Sequence, residues 1–298
     1  MREAIERWVP DGATVLMGAA LESLIPFAAG HEIIRQRRRD LTLVGPISDI
    51  LFDQLIGAGC ARRVIAAWVG NVSAGLGHNY RRAAEEGVPH RIEIQDHSNL
   101  SIALALQAGA LGIPFIPTKT LLGTDILKTN PTVREWVTPW GGERLVLVPA
   151  IQPDVAILHV QRADAGGAAH CWGNLGVSVE AALASRDAIL VAEEVVSAEV
   201  IRSDPNRVLV PPFKVRALVH EPHGAHPSPV QGYYNRDHAF YHEYHRESRT
   251  ADGFAAWVKK WVTDVPDHTA YLDQLGAERV ADLAVRQHRW AAPVDYGY

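Results

Sequence analysis

The chain has 298 residues, 47% of them hydrophobic and 21% charged, with a formal net charge of −5. That is the composition of a globular protein with ample material for a core. Acidic and basic residues are interspersed, which argues against a nucleic-acid track or an anionic membrane surface, and no apolar run is long enough to span a bilayer.

From the amino terminus, MREAIERWVPDGATV is charged and amphipathic and lacks the apolar run of a signal peptide, so a cytoplasmic protein is expected. Cys60 and Cys171 lie far apart without CxxC spacing, which fits a reducing compartment and two small buried hydrophobes. ATVLMG (13–18) reads as a strand and IPFAAGHEIIRQRR (25–38) as a helix in spite of Gly30. The basic run 35–39 closes that helix, where positive charge complements the carbonyl end of the dipole. DLTLVGP (40–46) is a second strand, ILFDQLIGAG (50–59) a short helix stopped by glycine, and RRVIAAWVG (62–70) a third strand. NYRRAAEEG (79–87) is a helix with its own glycine stop, and HRIEIQD (90–96) is an alternating strand. LSIALALQAGALG (100–112) is a helix apolar nearly all round, and is therefore expected to be buried.

An extended piece punctuated by Pro114 and Pro117 follows, then a glycine loop ending at Asp125. The alternation resumes with RLVLVPA (144–150), VAILHVQRAD (155–164) and the pair AALASRDAILVAEEVV (181–196). Strand–helix alternation of this kind predicts an α/β fold with a mostly parallel sheet covered on both faces, and ligands gather at the carboxyl ends of such strands. From about residue 211 the texture changes to Pro, His and aromatics, followed by helices over 238–248 and 253–265. We expect one domain over 1–298, with 211–298 as a helical carboxyl-terminal extension. Tyr233, Tyr234, Phe240, Tyr244, Trp257 and Trp261 concentrate there, a composition enriched at interface cores, so part of the extension is expected to pack on another protein chain and the rest to fold back on its own sheet, with core packing within the chain as the competing reading.

Four blocks, in order, carry a resemblance. They are DGATVLMG…AAWVG (11–70), QDHSNLSIALALQAGALGIPFIPTKTLLGTD (95–125), IQPDVAILHVQRADAGGAAHCWGNLG (151–176) and HEPHGAHPSPVQGYYNRD (220–237). Together they resemble the alpha subunit of family I coenzyme A transferases, most closely the glutaconate CoA-transferase type. The resemblance implies the three-layer, sugar-isomerase-like CoA-transferase fold and a hetero-oligomer with a homologous beta subunit. It also implies acyl-CoA and a carboxylic acid as substrates, coenzyme A as a substrate rather than a permanently bound cofactor, and a glutamate nucleophile in a Glu-x-Gly turn of the beta subunit. The one Glu-x-Gly here, Glu85-Glu86-Gly87, ends a charged helix and reads as solvated.

Site residues follow from strand-end positions and the resemblance together. In MGAALES (17–23) only Gly18 remains of a turn richer in glycine in the family, and it marks where backbone would approach CoA. Ser48 follows the strand ending at Pro46, and Asn71 and Ser73 follow the strand ending at Gly70; such donors could meet a thioester carbonyl or simply shape turns. Asp96 ends a strand before a helix that Ser98 or Asn99 could cap, cap and substrate contact being compatible. If shielded from water, Asp96 could be a general base, as in relatives that hydrolyse a ring-opening CoA thioester in steroid degradation; bonded to its own turn, it would be structural. Lys119, Gly123 and Thr124 lie in a loop suited to a CoA phosphate or an acyl carboxylate, with lysine where the family often has arginine.

Two other classes compete. His220, His223 and His226 recur every third residue, and His238, His242 and His245 share a helical face, a pattern that could bind zinc. Prolines splay the first trio, the second reads as a packing face, and no HExxH occurs, so no metal is expected. A ligand-sensing regulator on the same fold would need a DNA-binding module, and no helix-turn-helix precedes Trp8.

Overall fold

Seven strands run parallel through the centre of the computed structural model, which describes residues 1–286. Their order is Val215–His220, Asp187–Val196, Val155–Asp164, Thr14–Leu16, Leu41–Ile47, Ala61–Trp68 and Glu93–Asp96. The chain starts at the central strand, moves outward to one edge, then returns to the far side of its starting strand. The direction of winding therefore reverses beside Thr14–Leu16, and the carboxyl ends around it form the crevice where open α/β sheets bind ligands. Residues 287–298 of the expected extension lie outside the described residues.

Side chains alternate across each strand, which divides the apolar residues into two cores. Val15, Leu43, Val64, Ile157 and Ile189 face one core, with Phe27, Phe52, Phe240 and Trp257. Leu16, Val44, Ile65, Leu158 and Leu190 face the other, with Ile102, Leu106 and Ala181. Gly30 belongs in its helix because a Cβ there would sit 2.3 Å from Leu51 Cδ1 on the next helix. The aromatics of the extension are the main correction at this level. Tyr234, Phe240, Tyr244, Trp257 and Trp261 are buried in this chain's own cores and so do not present an interface surface, while Tyr233 is half-buried.

Three further departures concern strands and one helix. Arg144–Pro149, read as part of the parallel series, instead pairs antiparallel with Phe115–Thr118 and with Arg134–Val137 in a separate three-stranded sheet. Val215–His220, placed in the extension, is the parallel edge strand of the main sheet. The apolar helix Asn99–Leu111 buries Ile102, Ala105 and Leu106 but exposes Leu100 and Leu111 at its two ends.

Candidate active site

The loops after the first two strands interlock. Gly18 has φ +70°, and a Cβ on it would lie 2.3 Å from Ser48 Oγ and 2.8 Å from Ile47 O. Ser48 is buried and donates to Met17 O at 2.9 Å. The open face of Gly18 is thus filled by the neighbouring loop, and that packing requires glycine. Leu21, Leu24 and Asp49 near this join all have positive φ, at 63°, 55° and 47°. A left-handed residue other than glycine costs on the order of 1 kcal/mol, so the surrounding structure holds strain at these strand ends.

Asp49 is fully buried and opens the helix Asp49–Gly57. Burial pushes its carboxyl up, against the opposing pull of Arg236. Arg236 reaches in from the extension, and its Nη2 donates to Asp49 Oδ2 at 2.5 Å. Its Nε and Nη2 each donate to Ser73 Oγ at 3.1 Å, and its guanidinium lies 3.7 Å from the centre of the Tyr241 ring. The short hairpin after the strand Ala61–Trp68 is pinned residue by residue. Asn71 Nδ2 donates to Tyr241 O at 2.7 Å, Val72 N to Asp49 Oδ1 at 3.1 Å, and Ser73 N to Asn71 Oδ1 at 3.0 Å. Gly18, Ser48, Asn71 and Ser73 therefore come together on one rim; Ser48 and Asn71 are buried, while Ser73 is half-exposed.

The polar segment before the helix Asn99–Leu111 forms its own network on the edge strand. Ser98 caps the helix: its Oγ accepts from Ser101 N at 3.0 Å, and its N donates to Ser101 Oγ at 2.9 Å. His97 is buried between Ser101 Oγ at Nδ1 and the amide nitrogens of Gln95 and Asn130 at Nε2. Burial pushes the imidazole down to about 4, so the ring is neutral and its Nε2 accepts. Asp96 and Asn99 are exposed, and the main-chain oxygen of Asp96 accepts from Asn130 Nδ2 at 2.8 Å. The shielding from water considered for Asp96 is absent in this chain by itself.

Lys119, Gly123 and Thr124 lie apart from that rim, in the loop after the strand Phe115–Thr118. Lys119 Nζ pairs with Glu143 at 2.5 Å on an exposed surface, and Thr124 Oγ1 donates to Leu121 O at 2.8 Å within its turn. Burial pushes the Cys60 and Cys171 thiols up to about 12, which leaves both unreactive. The histidines have other work. His226 is held by Tyr271 and Asp237, His223 stacks on Tyr234, and His238 and His242 face outward while Phe240, Tyr241 and Tyr244 make the packing face. Among the described residues no group of three or more His, Cys, Asp or Glu could hold a metal ion.

Sequence reasoning missed Arg236 and Asp49 as parts of this rim. The available signals were the charged pair Arg236-Asp237 after two tyrosines, and an aspartate at the start of an otherwise apolar helix.

The family model for coenzyme A transferase matches residues 1–221. The chain is 41% identical to the alpha chain of the 3-oxoadipate CoA-transferase of Pseudomonas knackmussii, over 91% of this chain and 95% of that one. It is similar to the solved glutaconate CoA-transferase of Acidaminococcus fermentans, with a TM-score of 0.88 at 34% identity, over 96% of this chain and 95% of that one. It is also 28% identical to the cholesterol ring-cleaving hydrolase IpdA subunit of Mycobacterium tuberculosis, over 85% of this chain and 89% of that one.

Proposed function

The chain belongs to the coenzyme A transferase family, and from that premise we propose that it is the alpha subunit of a two-chain enzyme in which the nucleophilic glutamate comes from a homologous beta chain. The observation that carries this reading is a rim with hydroxyl and guanidinium donors whose one fully buried acid is committed to an ion pair. Asp49 is paired to Arg236, and Asp164 accepts from Gly166 N and Ala168 N of its own turn. Glu85, in the lone Glu-x-Gly, is exposed and paired with Arg81 at 3.0 Å.

In this reading the partner's glutamate attacks the acyl-CoA thioester. The C–S bond breaks, CoA leaves as thiolate, and an acyl-glutamyl anhydride forms. The thiolate then attacks the glutamyl carbonyl of the anhydride, releasing the first acid and leaving a glutamyl-CoA thioester. A second carboxylate runs the two steps in reverse and leaves as the new CoA ester. Splitting one hard exchange into such steps is the use of covalent catalysis, and this chain's part is to supply donors and exclude water. The 3-oxoadipate and glutaconate relatives are both named for dicarboxylic acids, so acids with a second carboxylate are the first to test.

The surface for the partner is proposed on the three-stranded sheet. Phe115 (42% exposed), Trp136 (37%) and Trp140 (81%) stand out there, with Val137 beside them. Exposed aromatics grouped on one element are characteristic of association surfaces. A second reading, hydrolysis of a CoA thioester with Asp96 as base, is supported by the place of Asp96 at a strand end and by the hydrolase relative, and it requires the beta chain to shield Asp96 from water. The test is to co-express this chain with its beta partner and follow CoA exchange between acyl-CoA and dicarboxylic acids. Exchange supports transfer; CoA release without exchange supports hydrolysis.

A further inference from the structure

Ser73 sits at the tip of the hairpin formed by Gly70–Asn71 and Gly75–Leu76, beyond the carboxyl end of the strand Ala61–Trp68. A serine hydroxyl has two acceptor lone pairs and one proton to give. Two guanidinium N–H groups of Arg236 point at Ser73 Oγ, each at 3.1 Å, and occupy its accepting side. The proton is therefore left to donate. The neighbouring His238 Nδ1 lies 3.5 Å away, beyond the usual range for a strong hydrogen bond from a hydroxyl. A hydroxyl polarised by a cation is a stronger donor than a free one.

The position is also fixed. Asn71 holds the Ser73 amide, Asp49 holds the amide of Val72 and the same Arg236 Nη2 that reaches Ser73, and Tyr241 lies under the guanidinium. By contrast, Ser48 gives its proton to Met17 O, and Asn71 gives its amide to Tyr241 O. Of these three strand-end donors, Ser73 is the one placed to meet a ligand.

We infer that Ser73 donates its hydroxyl proton in a hydrogen bond to the acyl oxygen on which negative charge develops, and that Arg236, backed by Asp49, is the positioning residue that aims it. This rests on the transferase reading, and it adds an electrostatic role for this chain in the chemical step. Donors held where charge develops are worth roughly a hundredfold or more in turnover.

The test uses the assembled two-chain enzyme and compares Ser73→Thr with Ser73→Val, which match in shape and differ in the hydroxyl. Thr is expected to keep kcat within a few-fold of wild type, and Val to lose about a hundredfold in kcat with KM for acyl-CoA little changed. Arg236→Lys, which keeps the charge but loses the forked donors, is expected to fall between them. Equal kcat for the Thr and Val enzymes overturns the inference, as does a Val loss confined to KM. If the wild-type complex itself transfers no CoA to any acid offered, the transferase reading fails, and this role falls with it. That outcome is distinct from an active wild type with indifferent variants.

Discussion

Arg236 and Asp49, 187 positions apart in sequence, close a 2.5 Å ion pair where the extension meets the carboxyl ends of the first strands. Neither side chain has much access to water, at 11% and 0% exposure. Breaking a buried pair from one side leaves an uncompensated charge, typically at a loss of about 3 kcal/mol. Asp49→Asn keeps an acceptor for Val72 N and a residue type that tolerates positive φ, so its loss isolates the charge. We expect Asp49→Asn and Arg236→Gln each to lower urea stability by about 3 kcal/mol, and the double variant to lose clearly less than the sum. Strict additivity of small single losses would show that the pair is not a unit.

The neutral His97 gives the chain an acid limb. Its folded value is about 4, against an ordinary imidazole near 6.5 in the unfolded chain. Between those values the unfolded state binds a proton that the folded state refuses, so stability is full above about 6.5 and falls as pH drops toward 4. Protonation would also set an N–H at Nε2 against the amide nitrogens of Gln95 and Asn130. Tm measured from pH 7 to pH 4 is expected to fall more steeply in wild type than in His97→Asn. Parallel curves would mean that other groups carry the acid loss.

Assembly with the beta chain is expected to involve the three-stranded sheet and to leave the aromatic core of the extension as it is. Hydrogen exchange should slow over 111–118 and 134–147 when the partner is added, with little change at Phe240, Tyr244 or Trp257, which are already buried. Trp136→Asp should weaken assembly at least tenfold by sedimentation or light scattering, a usual effect of removing a central aromatic anchor. Protection appearing instead at the extension, with assembly indifferent to Trp136→Asp, would move the interface elsewhere.

Much of the parallel sheet could be read from the sequence, because its strands are β-rich runs stopped by Gly, Pro or Asp. Arg134–Val137 could not, since all four residues are exposed and carry no alternation. Arg144–Pro149 has the composition of a parallel strand, and only its partners make it antiparallel. Local rules reached Gly18, Ser48, Asn71 and Ser73 because strand ends mark them. The frame that orders Ser73 is a contact between distant segments, which no local pattern displays. The aromatics of the extension misled because a buried core and a protein interface draw on the same residues.

The central claim is that catalysis is divided, with the nucleophile on the partner and the donors on this chain. Its most direct measurement is borohydride trapping of the two-chain complex incubated with acyl-CoA, followed by mass analysis of each chain, with Asp96→Asn run alongside. The account predicts a modification on one glutamate of the beta chain, none on this chain, and less than a tenfold loss of turnover for Asp96→Asn. An untrapped beta chain, together with a hundredfold or greater loss for Asp96→Asn, the size of a general-base contribution, would contradict it and establish hydrolysis in its place.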